Sequence, residues 1–214
     1  MFHYLKCKEL LAGVNGVGRC LCDFSRDYLK EKYSIVAQFI SVGSHSKNMV
    51  TQNGNGKIDA DYNGILISYP SDFVEKDLKC AFMDSFNRVL KELYGITKGC
   101  RDSTSAITIP TLHFYDDPSI EFSFDIGIIL TVRSGNKGRL IHDKIRGTYY
   151  FSEIPNSKDV DLREKEIKDS GLWNEVRDLY LDKKNMYLRR GDNNHPSYIC
   201  RIESINEVYQ KYFK

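Results

Sequence analysis

Three aspartates in two apolar segments are the residues of this chain most able to carry chemistry. Asp59 and Asp61 stand one residue apart in one apolar segment, and Asp125 lies inside another. Side chains two residues apart on a strand point to the same face, roughly 7 Å apart at the backbone. An aspartate inside so apolar a strand is costly to bury unless a metal ion or another partner compensates its charge. The three residues therefore predict a divalent-metal site of the kind that phosphoryl transfer uses.

A Gly-Ser pair upstream of these aspartates suits the binding of phosphate. Gly43 lets the backbone approach a phosphate closely, and the hydroxyl and backbone N–H of Ser44 can donate hydrogen bonds to its oxygens. The polar loop 45–57 follows, and Lys47 and Asn48 are further donors in it. These residues predict that a nucleoside triphosphate binds together with magnesium.

Each of these features also has a purely structural interpretation. An acid-x-acid pattern alone is weak evidence, because residues 75–77 show it in a segment whose periodicity predicts a solvated helix. Asp59 could simply end a turn. Asp125 has the poorest structural explanation, since an unpaired carboxylate in such a strand would be driven to protonate. We therefore favour a shared metal site over turn caps for the three aspartates.

Several other charged residues have two interpretations that the sequence leaves open. Arg139 or Lys144 would lie near the triphosphate, or both would belong to a solvated hairpin edge. The densest basic stretch, Lys183 to Arg190, could bind triphosphate or RNA, or complement the end of a helix. His195 is a weaker candidate for a general base, because a metal-activated hydroxyl does not require one.

The pattern of apolar residues predicts the elements that would position these side chains. The predicted elements are helices at 5–31, 73–94, 158–190 and 203–213, and strands at 35–42, 58–68, 105–115 and 120–133. Gly13, Gly16 and Gly18 predict a kink or turn in the first helix. We expect an α/β (α+β) protein with a small mixed sheet flanked by helices. A catalytic core at 1–155 would carry a mainly helical part at 156–214 packed on it.

Composition excludes several classes of protein. No apolar stretch approaches the ~20 residues that a membrane helix needs, and charges interrupt any signal-peptide core near the N-terminus. The six scattered cysteines suit a reducing cytosol, so we expect a cytoplasmic protein without a membrane partner. The net charge of +2 gives no global argument for nucleic-acid binding.

The order of these motifs resembles the DNA polymerase β-like nucleotidyltransferase superfamily. Its members carry a Gly-Ser turn after a strand, then Asp-x-Asp at the start of the next strand, then a third acid on a later strand. The resemblance covers about residues 35–133. Segments 43–63 and 180–199 are similar to a group of small bacterial nucleotidyltransferase-domain proteins. One departure is Gly64, which interrupts the second strand where the family has branched apolar residues.

The resemblance implies a metal-dependent nucleotidyltransferase with a polymerase β-like fold. The three aspartates would hold two Mg²⁺ ions, or Mn²⁺ in their place. A hydroxyl would attack the α-phosphate of a nucleoside triphosphate such as ATP, and pyrophosphate would leave. RNA, a protein or a small molecule would be the acceptor. Two other classes stay open: a catalytically degenerate module that only binds nucleotide, and a toxin or defence-type enzyme that modifies tRNA or protein.

Overall fold

A computed structural model describes residues 1–47, 49–132, 135–155, 157–192 and 196–214 of the chain. The chain forms two compact units. The sheet unit consists of Lys6–Asn48 and Lys57–Ile154, and the helical unit of Met1–Leu5, Met49–Gly56 and Pro155–Lys214. The sequence predicts the two short N-terminal segments as part of the core, but in the structure they group with the C-terminal helices.

The described residues form strands and helices in a mixed order. The strands are β1 (Phe2–Tyr4), β2 (Val36–Val42), β3 (Thr51–Asn53), β4 (Ile58–Ser68), β5 (Arg101–Asp102), β6 (Ile107–Thr108), β7 (Leu112–His113), β8 (Glu121–Thr131), β9 (Lys137–Asp143) and β10 (Thr148–Glu153). The helices are α1 (Lys8–Tyr33), α2 (Gly43–Ser46), α3 (Glu75–Tyr94), α4 (Lys158–Asp169), α5 (Trp173–Arg189) and α6 (Ser197–Phe213). The predicted mixed sheet with flanking helices is confirmed.

The large sheet is built around two long parallel strands, β4 and β8. The strand order is β10-β9-β8-β4-β2, and every pair except β4 with β8 is antiparallel. The short strands β6 and β7 pair with the part of β8 that precedes its pairing with β9. Residues of β4 alternate strictly: Ile58, Ala60 and Tyr62 are buried, whereas Asp59 and Asp61 point to the opposite face.

Helix α1 runs without a break, so the prediction of a kink at its glycines is wrong. The glycines serve close packing instead. A Cβ atom at Gly18 would lie 2.5 Å from the hydroxyl of Tyr62 and 2.8 Å from the ring of Phe124. A Cβ at Gly13 would lie 3.0 Å from the ring of Phe114. Small residues therefore let the helix approach the sheet, and packing outweighs the weak helix propensity of glycine.

The predicted strand at 58–68 is confirmed as β4, and it continues through Gly64 although this residue departs from the family pattern. A Cβ there would lie 2.7 Å from the ring of Phe82 on α3, so the glycine makes room for that ring. Helix α3 begins at Glu75, two residues later than predicted, where the backbone N–H of Val74 donates to the carboxylate of Asp77 at 3.0 Å. Its predicted end at Gly95 is confirmed, with a left-handed φ of 65°.

The helical unit packs α4, α5 and α6 together with a two-stranded ribbon of β1 and β3. The ribbon is held by the side chain of Asn185. This amide accepts a hydrogen bond from the N–H of Phe2 at 2.7 Å and donates one to the backbone carbonyl of Phe2 at 3.0 Å. Met49, Tyr180 and Cys200 form a buried cluster. Across the described part of the chain, no helix is both long and apolar enough to cross a membrane.

Candidate active site

The pairing of β4 with β8 brings the three predicted aspartates to one face of the sheet. In the register of this parallel pair, Asp61 is opposite Asp125 and Asp59 is opposite Ser123. Directly opposed residues on neighbouring strands project to the same face. The carboxylates therefore share a face, opposite to the one on which Tyr62 packs against α1.

The electrostatics of Asp61 reflect this crowding. Burial raises its pKa, the negative charges of Asp125 and Asp59 raise it further, and the pKa reaches about 6. The positive charge of Arg139 acts in the opposite direction but does not cancel these effects. A carboxylate held among like charges in a partly dry environment is a favourable ligand for a cation, because a cation removes both penalties.

The outer two carboxylates have hydrogen-bond partners within the protein. Asp59 accepts a hydrogen bond from the Ser123 hydroxyl at 2.7 Å, and the same oxygen lies 3.1 Å from the ammonium of Lys57. Asp125 accepts a hydrogen bond from the hydroxyl of Thr108 at 2.6 Å. Neither hydroxyl is predicted from the sequence. Strand alternation could have found Ser123, two residues before Asp125, but nothing in the sequence pairs Thr108 with β8.

Arg139 on β9 lies beside the aspartate face, where its positive charge acts on Asp61. A contact of Arg139 with a triphosphate stays a prediction. The guanidinium of Arg139 donates to the side-chain carbonyl of Asn63 at 3.3 Å. A Cβ at Gly127 would lie 2.9 Å from that carbonyl oxygen and 3.3 Å from the guanidinium carbon. The glycine therefore leaves room for the hydrogen bond between Arg139 and Asn63. Lys144 lies in the turn between β9 and β10 and has no described contact with the aspartates.

Among the residues predicted to bind phosphate, Gly43 lies close to Asp61. Its backbone has a left-handed φ of 68°, and a Cβ there would lie 2.5 Å from a carboxylate oxygen of Asp61. Ser44 follows in α2, and its carbonyl accepts a hydrogen bond from the N–H of Lys47 at 3.3 Å. Asn48 lies outside the described residues. The turn after β2 is thus positioned by Gly43 against the central carboxylate.

The donor atoms of this face fit magnesium in kind, since carboxylate oxygens are its usual protein ligands. As the side chains stand, however, no three acidic, histidine or cysteine residues in the described ranges form a group that could hold a metal ion. Lys57 lies against Asp59, so a shared cation would compete with its ammonium there. Thr108 uses one oxygen of the Asp125 carboxylate and leaves the other oxygen for a cation.

The basic stretch of α5 has structural partners inside the helical unit. Lys183 lies 2.9 Å from the carboxylate of Glu207, and Lys184 donates to the hydroxyl of Thr51 at 2.7 Å. The ammonium of Lys184 also lies 4.0 Å from the centre of the Phe2 ring. These contacts favour the structural interpretation of both lysines. The candidate base His195 lies outside the described residues.

Comparison with known proteins identifies the fold. No family model and no curated protein matches the chain. Among solved structures, CdnC of Escherichia coli MS115-1 with ATP is similar with a TM-score of 0.61 and 13% identity, over 95% of this chain and 61% of that one. The cyclic AMP-GMP synthase DncV of Vibrio cholerae, in complex with a linear intermediate, is similar with a TM-score of 0.62 and 9% identity, over 84% of this chain and 62% of that one. The c-UMP-AMP synthase CdnE of Rhodothermus marinus is similar with a TM-score of 0.56 and 12% identity, over 90% of this chain and 69% of that one.

The chain therefore shares the fold of these solved structures. The chain spans about 61% of the CdnC structure and 62% of the DncV structure. At these identities the likeness defines the fold alone.

Proposed function

We propose that the chain is a metal-dependent nucleotidyltransferase that transfers a nucleoside monophosphate from a triphosphate to a hydroxyl. One observation carries the proposal. In a fold of this class, the parallel register sets Asp61 opposite Asp125 and places Asp59 on the same face. Three carboxylates with an unbalanced charge suit a site for Mg²⁺, or Mn²⁺, with the phosphates of a nucleotide.

In the proposed reaction, a bond forms between the acceptor oxygen and the α-phosphorus, the bond from that phosphorus to the bridging oxygen breaks, and pyrophosphate leaves. Asp59, Asp61 and Asp125 would hold the metal ions. Bound magnesium would neutralise phosphate charge and lower the pKa of the attacking hydroxyl. The protein's own part is to hold the three carboxylates on one rigid pair of strands, because positioning supplies much of the catalysis in phosphoryl transfer.

The turn after β2 would hold the phosphates. Gly43 lies against Asp61 without a side chain, so a phosphate bound to the same cation could approach the backbone there. Ser44 and Lys47 would donate to phosphate oxygens, and Asn48 keeps the role that the sequence predicts for it. Arg139 supplies a positive charge on the same face, near Asn63 and Asp61.

DncV and CdnE are described as synthases of cyclic AMP-GMP and c-UMP-AMP, reactions in which a nucleotide hydroxyl is the acceptor. We include a second nucleotide among the candidate acceptors of this chain, beside RNA, a protein and a small molecule.

A catalytically silent nucleotide-binding module is the second candidate. It is favoured by Lys57, whose ammonium lies 3.1 Å from Asp59 and neutralises the outermost carboxylate. A lysine at this place could replace one of two cations. Such a module would bind a single divalent ion with nucleotide and release no pyrophosphate.

The test is incubation of the full chain with each α-labelled nucleoside triphosphate and Mg²⁺, alone and with total cell RNA or protein. Pyrophosphate release and transfer of label would both be measured. We expect Asp61→Asn and Asp125→Asn to lower the rate by at least about a thousand-fold, since each removes a charged ligand of the metal ions that neutralise the transferred phosphate.

Asp116→Asn is the matched control, because Asp116 is exposed in a turn and the substitution makes the same change in charge. It should react like the parent. Turnover of nucleotide by the two site variants at the parent rate would refute the assignment. Binding of one metal ion without pyrophosphate release would support the silent module instead.

A further inference from the structure

The carboxylate of Asp125 lies in a row of three side chains that crosses three strands. On one side, Asp61 is opposite it on β4, and on the other side Thr108 is opposite it on β6. Directly opposed residues share a face, so the row runs Asp61, Asp125, Thr108. Within β6 the neighbouring Ile107 is fully buried on the other face, which fixes the direction of Thr108.

The hydroxyl of Thr108 has one proton, and the hydrogen bond to Asp125 uses it. The donor–acceptor distance of 2.6 Å is short, as expected when the acceptor is charged. The same hydroxyl oxygen lies 2.8 Å from the hydroxyl of Ser103. Because Thr108 has no second proton, Ser103 must be the donor in that contact. The direction of the hydrogen bonds is therefore Ser103 to Thr108 to Asp125.

A buried cation anchors the other end of this chain of hydrogen bonds. Lys79 on α3 is one of the largest fully buried side chains, at 2% exposure. Its ammonium donates to the backbone carbonyls of Ser103 and Ala106 at 3.0 Å each, and lies 3.1 Å from the carboxylate of Asp102. These three oxygens belong to the β5–β6 hairpin. Lys79 thus fixes the hairpin that presents Thr108.

We propose that Thr108 is a positioning residue for Asp125, and that Ser103 and Lys79 hold it in place. Its hydrogen bond commits one oxygen of the carboxylate and sets the plane of the group, so that the other oxygen is oriented for a cation shared with Asp61. The proposal rests on the proposed function, because it assumes that Asp125 is a metal ligand. Hydrogen bonds to ligating carboxylates typically contribute about 10- to 100-fold in metal affinity or activity.

The experiment compares Thr108→Val, which keeps the shape and loses the hydroxyl, with Thr108→Ser, which keeps the hydroxyl. Binding of Mn²⁺ in the presence of a non-hydrolysable ATP analogue would be followed from the paramagnetic resonance signal of free Mn²⁺. We expect Thr108→Val to bind Mn²⁺ about 10-fold or more weakly, and Thr108→Ser to stay within about 3-fold of the parent. Thermal unfolding of each variant would be measured alongside.

Ser103→Ala gives a second, milder variant, since it removes the donor to Thr108 and leaves the contact with Asp125 intact. We expect about a 2- to 5-fold loss of Mn²⁺ affinity, smaller than for Thr108→Val. This variant also keeps the inference testable if the valine variant unfolds. Parental Mn²⁺ affinity in both Thr108→Val and Ser103→Ala would overturn the inference, as would equal losses in the valine and serine variants.

Asp125→Asn separates this inference from the proposed function. If Asp125→Asn loses Mn²⁺ binding while Thr108→Val retains it, Asp125 is a ligand and Thr108 does not position it. If Asp125→Asn and the parent bind Mn²⁺ alike, the proposed metal site itself is wrong, and the role of Thr108 falls with it.

Discussion

Two clusters of charged side chains in the sheet unit are built in opposite ways. In the first, Asp61 faces Asp125 and stands beside Asp59, so three carboxylates share one face. In the second, a single carboxylate, Asp102, lies 3.1 Å from the ammonium of Lys79 and accepts a hydrogen bond from the hydroxyl of Tyr149 at 2.9 Å. The first cluster has an excess of negative charge, whereas the second balances its charges within the protein.

The pKa values of the central acids express this difference. Burial and the two neighbouring carboxylates raise the pKa of Asp61 to about 6. Burial also acts to raise the pKa of Asp102, but the hydrogen bond from Tyr149 and the charge of Lys79 outweigh it, and the pKa lies below its ordinary value. A buried charge that the fold leaves unbalanced points to a ligand, and one that it balances points to structure.

Two opposing influences act on the charge state of Lys79. Burial lowers the pKa of Lys79, and the nearby Asp102 carboxylate offsets this effect only in part. Its surroundings favour the ammonium, because two backbone carbonyls and a carboxylate are all acceptors around one nitrogen. We assign the charged form on this geometry, since three acceptors match the three protons of an ammonium.

Removing the cation from the balanced cluster should have the largest effect on stability. Lys79→Met removes the ammonium from beside the Asp102 carboxylate and from the carbonyls of Ser103 and Ala106. Breaking such a buried pair costs about 3 kcal/mol or more of unfolding free energy. Urea unfolding followed by circular dichroism would measure it. Lys76→Met, an exposed lysine on the same helix, is the matched control and should change stability by less than about 0.5 kcal/mol. Equal stability of the two variants would mean that the Lys79 pair is not a structural anchor.

The two clusters also differ in how far their side-chain positions could be predicted from the sequence. The spacing of Asp59 and Asp61 fixes their common face, because strand alternation is local. The position of Asp125 beside them depends on which strands pair, and only the resemblance to a known superfamily supplied that. The Lys79 cluster gave no signal in the sequence, since a lysine in an amphipathic helix predicts a solvated position.

Non-local packing explains the other errors in the same way. Gly18 predicts a break when only the helix sequence is considered, whereas the approach of Tyr62 makes a glycine necessary there. Strands β1 and β3 are three residues each, too short for a periodic pattern, so their pairing in the helical unit could not be predicted.

The unbalanced cluster should destabilise the protein when no divalent cation is added. Because the folded-state pKa of Asp61 lies above the ordinary value of 3.8, the folded state holds the proton more tightly. Stability is therefore lost as the pH rises from about 4 to about 6. Asp61→Asn cannot ionise and should be more stable than the parent at pH 7, by up to about 3 kcal/mol at about 1.4 kcal/mol per pKa unit.

Urea unfolding in EDTA at pH 4 and pH 7 would measure this effect. The difference between Asp61→Asn and the parent should appear at pH 7 and shrink toward zero at pH 4. Asp116→Asn should show no such pH dependence. The same difference at both pH values would mean that ionisation of Asp61 does not strain the fold, and the contrast with Asp102 would then disappear.

The smallest predicted effect on stability comes from Gly43→Ala. Together with a control, this variant distinguishes the cost of the left-handed backbone from the effect of a new Cβ atom on the Asp61 carboxylate. The left-handed φ of 68° costs an alanine about 1 kcal/mol relative to glycine. Gly95→Ala is the matched control, because Gly95 has a φ of 65° and no atom within 4 Å of the added Cβ. Both variants should lose similar stability in thermal unfolding. Only Gly43→Ala should weaken Mn²⁺–nucleotide binding, since its Cβ would displace the Asp61 carboxylate. Equal Mn²⁺ affinities in the two variants would show that the turn after β2 does not act on the central carboxylate.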